Sequence, residues 1–316
     1  MKKWLKHIVG IVIIILLLFY LVKHWHNLKA LLRLGIKELI VLYFICILQI
    51  ICSASLIKYL LSVLGVKALL WDLVLLQNTS VILNYLPMKF GTLFQANYLK
   101  RRYGLSYARF APIFMCIILL MIITASTIGI TVLLIVYGLT IYEHKVLALI
   151  FFVTLLLSIF FLFIPIPNSF GPEKLKIILR KFLTGRKEIT HSPKVIFISI
   201  LFLMGNFMLV ALRLTILYHS LGEFIHPGGY IILGALAFLA KYIGITPGGL
   251  GIREIVLGYS SFVLGIPLEI GLLAAVIDRG IILSFLFVIG GICAAWLWHK
   301  YPGDFRKSQI SLSESD

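Results

Sequence analysis

The stretch KYIGITPGGLGIREIVLGY, Lys241 to Tyr259, decides the fold. It lies in one of the most apolar parts of the chain, yet it carries a proline, a run of glycines and the charges Lys241, Arg253 and Glu254. Proline removes a backbone donor and disrupts the helical turn before it. Glycine lets the backbone turn sharply and approach a ligand. The helical arm that restarts after such a break presents unsatisfied N–H groups and a positive dipole end, which suit an anion. At membrane depth, irregular backbone survives only where it is buried in protein or faces water. The stretch therefore predicts the tip of a re-entrant helical hairpin that holds a polar, anionic group.

Composition supports a membrane setting. Of 316 residues, 61% are hydrophobic, and the mean hydropathy is +1.07. A spanning helix needs about 20 mostly apolar residues, and many windows qualify. The prediction is an all-α, polytopic membrane helix bundle, since a β-barrel would show short alternating segments instead. The chain carries 29 Lys and Arg against 12 Asp and Glu. Most of the basic residues lie between apolar stretches, where they set topology and meet anionic lipid, so nucleic acid is not the expected partner. Cys46, Cys52, Cys116 and Cys293 all fall in apolar stretches without CxxC spacing, which suggests neither a disulfide framework nor a metal site. No cofactor pattern, catalytic triad or phosphate-loop motif is present. The N-terminal run MKKWLKHIVGIVIIILLLFYLV lacks a small-residue cleavage site and reads as an uncleaved first span.

Full spans are expected near 7–22, 38–63, 107–137, 145–166, 194–220 and 269–298, all within a single membrane domain over 1–300. Two further apolar stretches are broken, 71–99 at Pro87 and 230–265 at Pro247. A polar, basic loop covers 167–193, and 301–316 reads as a short disordered cytoplasmic tail. If both broken stretches enter and leave on one face, the termini are cytoplasmic. The cytoplasmic segments then carry 18 Lys and Arg and the outer loops 5, as the positive-inside rule requires. The basic loop 23–37 is the exception, and it would lie inside if 71–99 crossed fully.

A repeat underlies the pattern. LPMKFG (86–91) and TPGGLG (246–251) both read P-x-x-x-G, and a shift of 160 residues carries Pro87 onto Pro247 and Gly91 onto Gly251. The same shift aligns the flanking spans, giving repeat halves at about 38–137 and 194–298. Each half reads span, broken hairpin, span, and the charge count makes the halves inverted copies. Paired Pro- and Gly-broken segments in two halves point to a transporter's binding site.

The stretch ITPGGLGIREIVLGYSSFVLGIPLEIGLLAAVIDRGI resembles the transmembrane region of lysylphosphatidylglycerol synthases, part of a wider flippase-like family. NYLPMKFGTLFQANYLKRRYGLSYARFAPIF resembles that family's first motif. Thr92 and Gln95 stand where relatives often carry an acidic residue and an arginine, and Met115 and Cys116 stand near a frequent Glu-Arg pair. The resemblance implies lipid handling or flipping in the cell membrane. It does not imply aminoacylation, because the sequence shows no soluble transferase domain.

The candidate substrate-binding residues are Lys89, Gly91, Gln95, Lys241, Pro247, Gly248, Gly249, Gly251, Arg253, Glu254, Asp278 and Arg279. Backbone N–H groups near Gly91 and Gly251 would hold a phosphate between the hairpin tips. Lys89, Arg253 and Arg279 would supply positive charge, and Glu254 and Asp278 would orient them. Each feature also has a purely structural reading. The glycines permit close helix packing. Adjacent Arg253 and Glu254 point about 100° apart, which suits separate salt bridges, Glu254 with Arg279 or Arg253 with Asp278. Asn84, Gln95 and Asn97 would bond between helices, Lys100 to Arg102 would anchor topology, and Arg213 would be a structural partner or snorkel. The leading function is a flippase-like transporter of an anionic lipid or lipid-linked sugar phosphate, with membrane lipids as partners and no catalytic residues. The alternative is a membrane-embedded enzyme, or an accessory subunit of envelope-biosynthesis enzymes in lipid-linked glycosyl transfer.

Overall fold

In hydrocarbon every backbone N–H and C=O must be satisfied by the protein itself, so a long apolar run becomes a helix. The computed structural model describes residues 35–85, 90–138, 144–163, 192–242 and 251–300. These form α1 (Ile36–Val63), α2 (Leu70–Leu83), α3 (Phe90–Tyr103), α4 (Tyr107–Tyr137), α5 (Lys145–Phe163), α6 (Pro193–Ser220), α7 (Pro227–Tyr242), α8 (Ile252–Val263) and α9 (Leu268–Phe285). A π turn (Leu286–Gly290) continues α9 into α10 (Gly291–Lys300). No strand occurs among the described residues. Pro193 and Pro227 open α6 and α7, where the missing N–H costs nothing.

Five helices are long and apolar enough to cross a membrane, and they match the expected spans from 38–63 to 269–298. The expected span 7–22, the loop 167–191 and the tail lie outside the described residues. Both broken stretches appear as pairs of short helices. α2 and α3 have 14 residues each, α7 has 16 and α8 has 12. At 1.5 Å per residue these are roughly 18–24 Å long, short of the ~30 Å hydrocarbon layer. The breaks themselves, 86–89 and 243–250, lie outside the described residues. The repeat relation between the halves stays a sequence expectation.

The chain forms two compact units. One comprises Met1–Gln49, Met121–Ile159 and Met204–Ser284. Its core joins Leu42, Leu133, Leu147, Phe151, Leu214, Tyr218, Leu233, Leu236, Leu257 and Ala274, all buried. Within it α7 packs against α8.

The other unit comprises Ile50–Leu120, Phe160–Leu203 and Phe285–Asp316. Here α2 packs against α3, the π turn and α10. Polar side chains stitch α2 to α3. Asn84, just past α2, accepts from the Thr92 N–H at 3.0 Å. The Gln95 amide donates to Gln77 at 3.3 Å, and the Tyr103 hydroxyl donates to the buried Asp72 carboxylate at 2.9 Å. Burial, then that hydrogen bond, pushes the Tyr103 phenol up to about 12. The helices approach so closely at Gly91 that a Cβ there would overlap the Ser80 carbonyl oxygen. Asn97 accepts from Tyr107 at 3.2 Å, and the Lys100 ammonium sits 4.4 Å from the centre of the Tyr107 ring.

Candidate functional site

α8 inverts the pattern of a soluble amphipathic helix. Arg253, Glu254, Leu257, Gly258, Ser260 and Ser261 are buried, whereas Ile255, Tyr259 and Phe262 are 52%, 48% and 58% exposed. Charge turned inward and large apolar side chains turned outward are what lipid demands, because intramembrane charges face the protein interior. At 12 residues, α8 is too short to cross a membrane.

Its first turn is fixed by two residues. Gly251 precedes the helix at φ 83°, a conformation that side chains disfavour. The Gly251 N–H donates to Glu254 Oε2 at 2.7 Å. A carboxylate at this point also complements the positive end of the helix dipole. The second oxygen, Oε1, accepts from Arg279 Nε at 2.8 Å. The glycine expected to offer its N–H to a ligand has given it to Glu254.

Arg253 points to a different partner, as adjacent helical residues must. Its Nη2 donates to Asp278 Oδ2 at 2.5 Å. Two consecutive residues of α8 therefore meet two consecutive residues of α9, Arg253 with Asp278 and Glu254 with Arg279. Both pairings are the ones the sequence offers as structural bridges.

A third guanidinium enters from α6. Arg213 Nε donates to Asp278 Oδ1 at 2.6 Å, and its Nη2 reaches Oδ2 at 3.4 Å. Arg213 Nη1 donates to Gln49 Oε1 of α1 at 2.6 Å and also lies 3.7 Å from Cys46 Sγ. The Gln49 backbone oxygen accepts from the Asn206 amide at 3.1 Å. Asp278, wholly buried, is thus gripped by two arginines. Nearby on α6, the Tyr218 hydroxyl lies 2.6 Å from Ser261 Oγ.

The electrostatic sum is uneven. Among the described residues, the ion pairs of this cluster join three guanidinium groups, Arg213, Arg253 and Arg279, to two carboxylates, Asp278 and Glu254. Moreover, Arg253 Nη1 is buried without a hydrogen-bond partner, on a side chain only 7% exposed. An unpaired donor on a buried charge is costly. Among the described residues the cluster holds more guanidinium than carboxylate groups.

Of the expected site residues, Gly251, Arg253, Glu254, Asp278 and Arg279 come together here. Gly91 and Gln95 belong to the α2–α3 pair in the other unit, where they serve helix contact and an amide pair. Lys89, Pro247, Gly248 and Gly249 lie outside the described residues, as does the side chain of Lys241 at the end of α7. Arg213 joins the cluster although it was not among the expected site residues. The signal was there: a lone arginine inside an apolar span needs a carboxylate, and Asp278 was available.

No curated protein and no solved structure matches the chain. The sequence profile of the lysylphosphatidylglycerol synthase TM region matches residues 7–290. With five apolar helices of spanning length, the chain is a multi-pass membrane protein, and it belongs to the lysylphosphatidylglycerol synthase TM-region family.

Proposed function

We propose that the protein is a flippase-like transporter for lipids with an anionic phosphate head group. One observation carries this reading: α8 turns a charged face inward, and that face includes an unpartnered, buried Arg253 donor. A head-group oxygen is the complement of such a donor, while the tail stays against apolar residues such as Ile255 and Phe262. Glu254 and Asp278 hold the guanidinium groups in place and offset their mutual repulsion. Membership of a family associated with lipid handling supports the same substrate class.

In this reading each short helix pair is re-entrant, and both termini are cytoplasmic in the cell membrane. The first pair would open to the cytoplasm and the second to the outside. Thiol labelling of Ala30→Cys and Phe90→Cys tests this orientation, and reaction of position 30 from the cytoplasm alone would reverse it.

Transport is tested in liposomes with head-group-labelled phosphatidylglycerol and an impermeant bleaching agent. Wild-type protein is expected to expose inner-leaflet label faster than empty liposomes do. Glu254→Gln and Arg279→Gln, each losing a charge-assisted contact worth about 1.5–3 kcal/mol, should slow exposure by about tenfold or more. A plateau at the outer-leaflet fraction, equal with and without protein, refutes transport. Product formation from a sugar donor without translocation would favour the membrane-embedded enzyme instead.

A further inference from the structure

The cluster on α6, α8 and α9 contains a residue that need not touch any ligand yet decides how much negative charge the site can take. Asp278 offers two oxygens. Arg213 takes Oδ1 through Nε and leans on Oδ2 through Nη2. Arg253 is left with Oδ2 alone, bound through Nη2, and its Nη1 has no partner. Without Arg213, Asp278 would be free to take both terminal nitrogens of Arg253 in the two-pronged geometry that guanidinium and carboxylate prefer. The described cluster would then be neutral, with no surplus donor.

Resting on the anionic-lipid reading above, we propose that Arg213 is a positioning residue that keeps Arg253 Nη1 open to one singly charged oxygen ligand, a phosphodiester. The cluster's surplus of one positive charge matches a phosphodiester, whereas a phosphomonoester brings up to two negative charges. The free edge of Arg253 supplies the contact, and the Arg213–Asp278 pair supplies the charge balance. Glu254 and Arg279 form a neutral pair beside it.

The test is a charge series measured by binding of fluorescent short-chain phosphatidylglycerol to the full chain in neutral detergent. Arg213→Gln brings the cluster from one surplus positive charge to none and should weaken binding by about tenfold, as expected for one charge within about 10 Å at an effective dielectric constant near 20. Asp278→Asn raises the surplus to two and should strengthen binding of phosphatidic acid relative to phosphatidylglycerol. The double variant Arg213→Gln/Asp278→Asn returns the surplus to one and should bind within about threefold of wild type. A purely structural role predicts instead that the double variant is no better than the worse single one, and that result overturns the proposal. Should a variant fail to elute as a single species, the wild type decides. It must prefer phosphatidylglycerol to phosphatidylcholine, and equal affinity for the two also overturns the proposal. Competition by inorganic phosphate separates a site for the free anion from one that needs the lipid, and equal displacement of the lipid by phosphate and by chloride at the same ionic strength overturns phosphodiester recognition. If translocation fails while the charge series holds, the transport reading falls and the site stands. If translocation succeeds while the series fails, only the role of Arg213 falls.

Discussion

Replacing Glu254 with alanine removes two contacts at once. The Gly251 N–H loses its 2.7 Å acceptor, a capping interaction worth about 0.5–2 kcal/mol. Arg279 loses its 2.8 Å carboxylate, and breaking a buried pair from one side costs about 3–5 kcal/mol. The total, ~4–6 kcal/mol, is a large share of the ~5–15 kcal/mol that holds a typical protein folded. Glu254→Gln keeps an amide oxygen for one of the two donors and should cost roughly half as much. Cys46, Cys116 and Cys293 are buried and in no disulfide, so a thiol-reactive dye reports melting in detergent without added labels. At roughly 2–4 °C per kcal/mol, Glu254→Ala should melt about 8–24 °C below wild type. Adding Arg279→Ala to Glu254→Ala should cost much less than Arg279→Ala alone, because the orphaned charge is already gone. A Glu254→Ala melt within 2 °C of wild type, or strictly additive losses, would refute the account of this pair.

Gly91→Ala should lower the melting temperature by several degrees and reduce yield. Its Cβ would meet backbone, the Ser80 carbonyl, which cannot yield as a side-chain tip can, and overpacking of this kind costs about 1–3 kcal/mol. Tyr103→Phe leaves the buried Asp72 without its 2.9 Å donor and should cost about 1.5–3 kcal/mol in the same melt. The Tyr103 phenol, held up to about 12 in the fold against about 10 when free, favours folding below pH 10. That contribution fades as pH climbs through 12, so the late-titrating part of the phenolate absorbance should shrink by one tyrosine in Tyr103→Phe. Phe262→Lys places a charge on the exposed face of α8; if that face meets lipid it should cost about 2.5–3.5 kcal/mol and cut membrane insertion. A loss under about 0.5 kcal/mol, typical of a water-facing site, would show that face to be wet.

Much of this architecture was legible because lipid simplifies the rules. Tyr107–Tyr137 has the bounds that hydropathy alone assigns, since a run that must satisfy its own backbone has few options. That one helix ends at Tyr242 and the next begins at Ile252 fits the proline in the sequence between them, as proline cannot continue the hydrogen-bond ladder. The pairing of Arg253–Glu254 with Asp278–Arg279 was one of two readings the sequence offered, the other being contact with a ligand, and the structure shows both ion pairs. What the sequence hid was choice among equals. Arg213 had several carboxylates to pick from, and its selection of Asp278 depends on how α6 packs. The π turn at Leu286–Gly290 sits in an unbroken apolar run, and no residue there announces it. It appears where Gly290 meets Ile82 closely, with a Cβ position 2.5 Å from the Ile82 Cδ1. Gln95 stood open to a ligand or to a helix contact, and the structure pairs it with Gln77.

The cluster on α8 and α9 is a poor device for stability alone. Replacing a buried ion pair with well-packed apolar residues is often neutral or stabilising by about 1–4 kcal/mol. Leucines at these positions would satisfy the bilayer with less desolvation. What leucines do not offer is a guanidinium edge facing inward with no partner, on a helix whose other face is apolar. A balanced set of charges would not offer it either, for each donor would be spent on a carboxylate. The third arginine makes the difference: with Arg213 holding Asp278, Arg253 is both anchored and incomplete. Anchoring makes the donor stiff, which lowers the entropy a ligand must lose on binding. Incompleteness makes an anion the natural occupant. Arg213 has neither free edge nor exposure, so its substitution separates the two ideas. If the charges exist for packing, Arg213→Gln harms the fold and the anion affinity in step. If they exist for recognition, repairing the charge balance at Asp278 restores affinity even where the melting temperature stays low.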